Sequence, residues 1–443
     1  MTPAGPDIEE LGELAARVVR GLADAADYVQ VFAESTLAVS VECRSGEASA
    51  TFADLREGLG CLALKDGRWR YLAVPPTQAG RLADWLEAPR SADEPGWIAL
   101  PGAAGFTPLD PAAWQVDGGS SYSIHSTEDF THRRYAVVDT AGDAYAGTTQ
   151  SLRRRVEAGI DVSGRQYRGR SRWLRQGSAA TAAAGSAHEL VYEALDRARD
   201  SAVAAVHGKH HTPVVFGPSA AAGFLHELVG HALEADNFQL DSGYIKGLAR
   251  PGALPTSLVI QDDPTVEHGY GSYPADDEGR ASGAVTLLAD GEIGAPLSSV
   301  RTSQRGGLRR TANARRRDFR NPAIPRASNT VVLPGTEDRK LLLDGRGSGL
   351  LQVGCLGAGM IYLSTGEFSF AALDCHYLTP DGDRVPAMDV SLVGNALDTL
   401  SRLEAIGSDF GGDNVTCGKQ GQMIGIGLYS PSIRFSTLDW SAA

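Results

Sequence analysis

His226, Glu227 and His231 spell HExxxH within the run GPSAAAGFLHELVGHALEAD, a stretch of helical character. Two histidines flanking a glutamate are the vocabulary of zinc hydrolases. Imidazole nitrogens suit a borderline-soft metal ion, and a neighbouring carboxylate can take a proton from metal-bound water, whose pKa falls from about 15.7 toward about 7. At 3.6 residues per turn, positions i and i+4 lie roughly 40° apart around a helix, whereas i and i+5 lie roughly 140° apart. A regular helix therefore cannot turn both histidines to one ion. A one-residue π-bulge restores the facing geometry, and Gly230, directly before His231, is the residue type that tolerates such a distortion. The spacing predicts a bulge or break there.

A third ligand has to come from elsewhere, and Glu234, Asp236, Asp276, Asp277, Glu278 and five cysteines are the candidates. Composition does not choose among them. Cys417, in DNVTCGKQGQMIGIG, has a polar, glycine-rich setting that suits an accessible thiolate near a turn, whereas Cys43, Cys61, Cys355 and Cys375 lie in apolar strand-like runs and read as core. An odd number of scattered cysteines without a CxxC pair argues against a disulfide framework and for a reducing compartment.

The elements around these residues are legible in outline. The chain has 443 residues, enough for two or three domains, and its 42% hydrophobic and 21% charged residues exclude a mostly disordered chain. Asp7 and Glu10 form a capping-box pattern ahead of an amphipathic helix; from Tyr28 the pattern turns to period two, with Asp66 and Gly67 marking a hairpin. A second helix is predicted over 77–87 and a long connection over Ser91–Gly119. Strands follow over 128–175, then a helix over 187–206 opened by a second capping box, Ser186 with Glu189. After the motif helix, expected over 219–236, some two hundred residues of short apolar runs read as mostly antiparallel β, closed as a barrel or sandwich. Gly345, Gly347 and Gly349 precede no amphipathic helix and read as turns in that β region.

The chain is therefore expected to be α+β. An N-terminal α/β domain over 1–208, with a subdomain break near 91–119, precedes a β-rich domain over 209–443 that carries the HExxxH helix. The start shows no basic region leading into an apolar one, and no stretch approaches the roughly 20 apolar residues of a membrane span, so a cytoplasmic location is expected.

Six segments occur in the order found in the TldD/PmbA family: HELVGHALEAD, the acidic DDEG from Asp276, TANARR from Thr311, PRASNTVVLPG from Pro325, STGEFSF from Ser364 and CGKQGQ from Cys417. The chain resembles the metal-bearing TldD branch, since the PmbA (TldE) branch lacks the histidine motif. The resemblance implies a zinc metallopeptidase acting on unfolded peptides, commonly as a TldD–TldE heterodimer with an internal active site, or as a homodimer. It implies His226, His231 and Cys417 as zinc ligands and Glu227 as general base. Relatives also mature peptide or natural-product precursors, and the family was first named for modulating DNA gyrase.

Two other function classes stand beside the peptidase. One is a non-catalytic, peptide-binding subunit, which predicts loss of Glu227 or Cys417; both are present. The other is a DNA-associated regulator working through two arginine-rich stretches, 301–326 with nine arginines and 153–175 with eight. The net charge of −13 and the lack of interleaved aromatics favour a solvated or interface face over a nucleic-acid surface. Arginines lining a cavity are a third reading, as holders of peptide carbonyls or a C-terminal carboxylate. Lys419 and His268 are candidate oxyanion donors. His207, Lys209, His210 and His211 are expected to close the 187–206 helix, where cations suit the dipole.

Overall fold

The computed structural model describes residues 7–44, 47–87, 109, 114, 122–177, 187–345 and 347–442. The predicted connection over Ser91–Gly119 falls almost wholly outside the described residues, as does Ser186 of the second capping box.

Helix α1 (Ile8–Leu22) opens with the predicted Asp7–Glu10 capping box and buries Leu11, Ala15, Val19 and Leu22. It lies on a six-stranded antiparallel sheet, β1 (Tyr28–Arg44), β2 (Glu47–Lys65), β3 (Arg68–Val74), β4 (Tyr122–Asp139), β5 (Ala144–Val162) and β6 (Arg165–Gln176), in the order β3-β2-β1-β4-β5-β6. Asp66 and Gly67, both at positive φ, make the β2–β3 turn. The predicted second helix begins later, with a 3-10 turn at Pro76–Gln78 and then α2 (Arg81–Glu87). Helix α3 (Ala187–Val203) covers the same sheet face as α1, over Val39, Val41, Val156 and Ala158. The opposite face is also covered: Phe32 and Tyr135 pack on Phe319, and Gln30 and Glu34 bond Arg316 and the Phe319 N–H. This is why β1 is buried without interruption from Tyr28 to Thr36, although its sequence reads as period two.

The histidine and lysine cluster does not close α3. The helix stops at Val203, and Lys209, His210 and His211 lie in β7 (Gly208–Phe216), paired antiparallel with β21 (Ile433–Ala442). Pairing with a distant strand, rather than a helix dipole, sets their place; His210 stacks on Trp440 and His211 bonds Asp439.

The second half holds two larger sheets. Strands β14 (Leu350–Ile361), β7, β21, β17 (Val390–Asn395) and β15 (Glu367–Leu378) pair in that order, and β15 pairs back with β14, closing a five-stranded barrel. Strands β16 (Arg384–Ala387) and β18 (Leu403–Ile406) flank it. The other sheet has β8 (Ile260–Asp262), β9 (Val285–Ala289), β10 (Glu292–Ile293), β13 (Asn329–Val332), β19 (Gly411–Lys419) and β20 (Gln422–Ser430), in the order β10-β9-β8-β13-β20-β19. A short ribbon pairs β11 (Ala314–Arg315) with β12 (Ile324–Pro325). The architecture is α+β, as expected. Gly347 and Gly349 stand at positive φ in the approach to β14, so that glycine run is a turn. Among the described residues no helix is long and apolar enough to cross a membrane.

Helix α4 (Pro218–Leu225) is buried on every side, as a helix apolar all round must be. Its Phe224 packs on Phe216, Phe368, Phe370 and Phe435 of the barrel, and Ala222 packs on Cys417, Ile426 and Leu428 of the other sheet. The helix is thus clamped between barrel and sheet, and the residues after Leu225 are delivered to the β19–β20 hairpin.

Candidate metal centre

The helix distorts where the spacing requires it. His226–Gly230 is a π-helical turn, closed by the His231 N–H on the His226 carbonyl, five residues back. The extra residue brings the two imidazoles to one side, with ring centroids 4.7 Å apart. Gly230 acts differently from the expectation. Its backbone is ordinary right-handed helix (φ −56°, ψ −54°), and what it supplies is room, because a Cβ there would stand 3.3 Å from His226 Nδ1.

Cys417, 186 residues further along, completes the group, with Sγ 3.2 Å from His231 Nε2. The ligand atoms of His226, His231 and Cys417 all lie within 4.8 Å of one another, and among the described residues this is the only such cluster of three. A tetrahedral zinc ion with ordinary bond lengths separates its N and S ligands by roughly 3.3–3.7 Å. His226 Nε2 is buried and, among the described residues, has no hydrogen-bond partner. An orphaned imidazole nitrogen beside a thiol and a second imidazole is the donor set of a transition-metal site with a fourth position left over, so the residues fit the ion. Glu227, part-exposed, brings Oε2 to 3.8 Å from His231 Nε2.

The far side of each ring is held. His226 Nδ1 shares a 2.9 Å hydrogen bond with Thr330 Oγ1 on β13. His231 Nδ1 donates to Glu234 Oε2 at 2.9 Å. Glu234 is fully buried and also receives Lys419 Nζ at 2.9 Å, with Arg326 Nε 3.6 Å away. Arg326 in turn donates to the Cys417 and Gln422 carbonyls (2.7 and 3.0 Å) and so fixes the hairpin that presents the thiol. Burial alone would raise the Glu234 carboxyl, but His231, Lys419 and Arg326 hold it down at about 2. Burial would likewise raise the Cys417 thiol; the two imidazoles outweigh it and hold it at about 4, as a thiolate. Despite its burial, His231 is pushed well above its usual value by Glu234 and Cys417.

Of the other third-ligand candidates, Glu234 supports His231 from behind, and Asp236 pairs with Lys419. The acidic triplet lies elsewhere. Asp276 accepts backbone N–H groups of Glu278, Arg280 and Ala314; Asp277 pairs with Arg133, and Glu278 with Arg310 and the Val300 N–H. Cys417 stands near a turn as expected, but it is buried rather than accessible. Cys43, Cys61 and Cys375 are buried in strands, and Cys355 is half-buried. Most of the arginines have partners in the chain: Arg153 and Arg155 on Asp129, Arg168 and Arg170 on Glu157, Arg172 on Asp413, and Arg320 on Asp318.

Thr330 and Arg326 carry no signal in the sequence that marks them as supports of the site. Glu234 does: three residues after His231, it sits within helical reach of that ring. Replacing Thr330 with valine removes the hydrogen bond and keeps the shape. Metal affinity is expected to fall about 10-fold or more, read by competition with a chromophoric chelator.

Residues 209–442, more than half of the chain, match the family model described as the PmbA/TldA metallopeptidase C-terminal domain. The chain belongs to the PmbA/TldD family of metallopeptidases. It is similar to a metalloprotease of Methanothermobacter thermautotrophicus, 33% identical over 221 residues, covering 50% of this chain and 48% of that protein. It is also similar to the zinc metalloprotease TldD homolog of Saccharolobus solfataricus, 30% identical over 227 residues, covering 51% and 50%. The matched segment spans about half the length of these curated relatives. The fold is similar to the crystal structure of TldE from Thermococcus kodakarensis, with a TM-score of 0.73 at 15% identity over 97% of this chain and 100% of that one.

Proposed function

We propose that this chain is a zinc-dependent peptidase acting on extended, unfolded peptides, with His226, His231 and Cys417 holding the ion and Glu227 as general base. The observation that carries this reading is the convergence of three ligand atoms, one of them the orphaned His226 Nε2, beside the Glu227 carboxylate. Zinc bound there supplies a Lewis acid for the scissile carbonyl and lowers the pKa of water. Glu227 takes a proton at Oε2 and returns it to the leaving amine; it is part-exposed and, among the described residues, accepts no hydrogen bond that would occupy it. Thr330 and Glu234 keep the imidazoles oriented, and the Cys417 thiolate makes the site less electron-poor than a third imidazole would. Lys419 does not serve the oxyanion, because its ammonium is held by Glu234, Asp236 and the Pro325 carbonyl. His268 lines a different cavity.

Strand β19, which carries Cys417, is the edge of its sheet, an arrangement that suits an extended peptide added through backbone hydrogen bonds. Half-exposed Met423, opposite Gly418 on that hairpin, and Phe410 at its base give the rim an apolar character. We place the working unit as a dimer, with a TldE-like partner or a second copy, which would keep folded proteins from the site. Free thiols at all five cysteines support a reducing compartment such as the cytoplasm. The β1–β6 sheet with α3 before Val203, and the barrel strand that opens at Gly208, support a domain division near residue 208. The non-catalytic reading is disfavoured by the presence of the full ligand set with Glu227, and the DNA reading by the paired arginines.

The test mixes the chain, alone and with a TldE-like partner, with an unstructured peptide and a stable folded protein, alongside metal analysis. About one zinc per chain and cleavage of the unstructured peptide alone are expected. Equal cleavage of both substrates would sink the restricted-access reading, and a metal-free active chain would sink the zinc reading. Loading has a pH signature as well. In the metal-free chain His231 is held protonated well above 6.5, so an ion must displace that proton. Apparent affinity is expected to keep climbing as pH rises above 6.5, with proton release measured by calorimetry in buffers of different ionisation heat.

A further inference from the structure

A second cleft lies across the β8–β13–β20–β19 sheet from the metal helix. Consecutive residues of β13 mark its two sides: Thr330 reaches His226, whereas Asn329 donates to Ser272 Oγ at 2.9 Å. Ser272 lines a cavity of about 600 Å³ with Thr148, Thr149 and Gln150 of β5, Gln176 of β6, and His268. An inner pocket of about 50 Å³ shares Thr149, Gln176, Ser272 and Tyr273 and is walled by Arg133, Arg315 and Arg316.

Donors remain unfilled at this inner end. Among the described residues Arg133 Nη2 and Arg316 Nε are buried without a hydrogen-bond partner, and Arg316 as a whole is 3% exposed. The other nitrogens are engaged: Arg133 with Glu34 and Asp277, and Arg316 with Tyr71, Gln30 and the Asp277 carbonyl. Arg315 donates to the Ala327 carbonyl and lies over the Tyr273 ring. Three guanidinium groups face Asp276 and Asp277 in the wall, with Glu34 behind Arg133. Acidic groups in the wall disfavour a multiply charged anion, and the unfilled N–H groups ask for an acceptor. A carboxylate brings a single charge and two acceptor oxygens in one plane, the geometry that guanidinium forks match.

We propose that this cleft binds a carboxylate-bearing ligand, with the acid at the arginine end and a polar chain along the Thr148–Gln150 wall. The acid is that of a peptide C terminus or of a small organic acid. The site does not depend on the metal centre.

The experiment titrates the full chain carrying Glu227→Gln, so that peptide is not consumed, and reads binding by calorimetry. The probes are a six-residue glycine–serine peptide with a free C terminus, the same peptide amidated, and lactate, a singly charged acid. The free-acid peptide or lactate is expected to bind, and amidation to weaken peptide binding about tenfold or more. Lactate binding as tightly as the peptide assigns the small acid; binding of the peptide alone assigns the chain terminus. Arg133→Lys is expected to weaken binding about tenfold by losing the fork. Should circular dichroism show that variant unfolded, Gln176→Met, at the mouth of the inner pocket, is expected to weaken binding in the same direction. Cys417→Ser, introduced into the same background, is expected to leave it unchanged, so a failed metal assignment does not touch this result. No heat with either acid, or equal binding of acid and amide peptides, overturns the proposal and leaves ordered water as the partner of these arginines.

Discussion

Glu227→Gln is expected to lower kcat for an unstructured peptide by about 10²–10⁴-fold while zinc content and thermal stability stay at wild-type levels. The side chain is part-exposed and lies 3.8 Å from His231 Nε2, so the amide fits the same space but cannot accept a proton at neutral pH. In the proposed mechanism the loss falls on kcat, because Glu227 acts on water and on the leaving amine rather than on the bound peptide. A matched loss of zinc would instead make Glu227 a ligand, and retention of full activity would remove it from the reaction.

The second large effect is on stability. Arg326 is 1% exposed and binds Glu234, the Cys417 carbonyl and the Gln422 carbonyl. Arg326→Met fills the space with an apolar chain but removes two hydrogen bonds to the buried Cys417 and Gln422 carbonyls and a cation beside Glu234. Loss of one member of a buried ionic network costs about 3–5 kcal/mol. Urea unfolding of the variant should show that loss as a shift in midpoint at unchanged slope. The pH dependence carries a second signature. Glu234 is held at about 2 against 4.5 in the unfolded chain, so its paired carboxylate stabilises the fold above pH 4.5, and this contribution is lost as pH falls toward 2. With Arg326 gone the carboxyl moves up, and the variant should lose stability at a higher pH than wild type. Superimposable acid-unfolding curves, offset by a constant amount, would contradict the role given to Arg326.

By itself the sequence determined the local half of this protein. The Asp7–Glu10 cap, the Asp66–Gly67 turn and the distortion at His226–Gly230 follow from rules that act within five residues, and the structure has all three. The π-turn is the clearest case, because the angular arithmetic of a helix lets an HExxxH pair face one point only through a bulge or a break. What only the tertiary structure decided is which distant groups meet that point. Cys417 arrives because β19 pairs with β20 in a register that turns Cys417, Ile426 and Leu428 toward Ala222 on α4. A shift of one residue would turn the thiol to the other face. Thr330, Lys419 and Arg326 converge through sheet pairing in the same way, and none of them is marked as a support by its neighbours in the chain, whereas Glu234, three residues after His231, is. Lys209 to His211 show the opposite error: the fit of cations to a helix dipole placed them at the end of the 187–206 helix, and hydrogen bonds to β21, over two hundred residues away, made them strand. Helical order is set by contacts a few residues apart. Sheet order is set by partners whose distance along the chain carries no trace in the local pattern, and here the sheets bring the third ligand and its supports to the histidines.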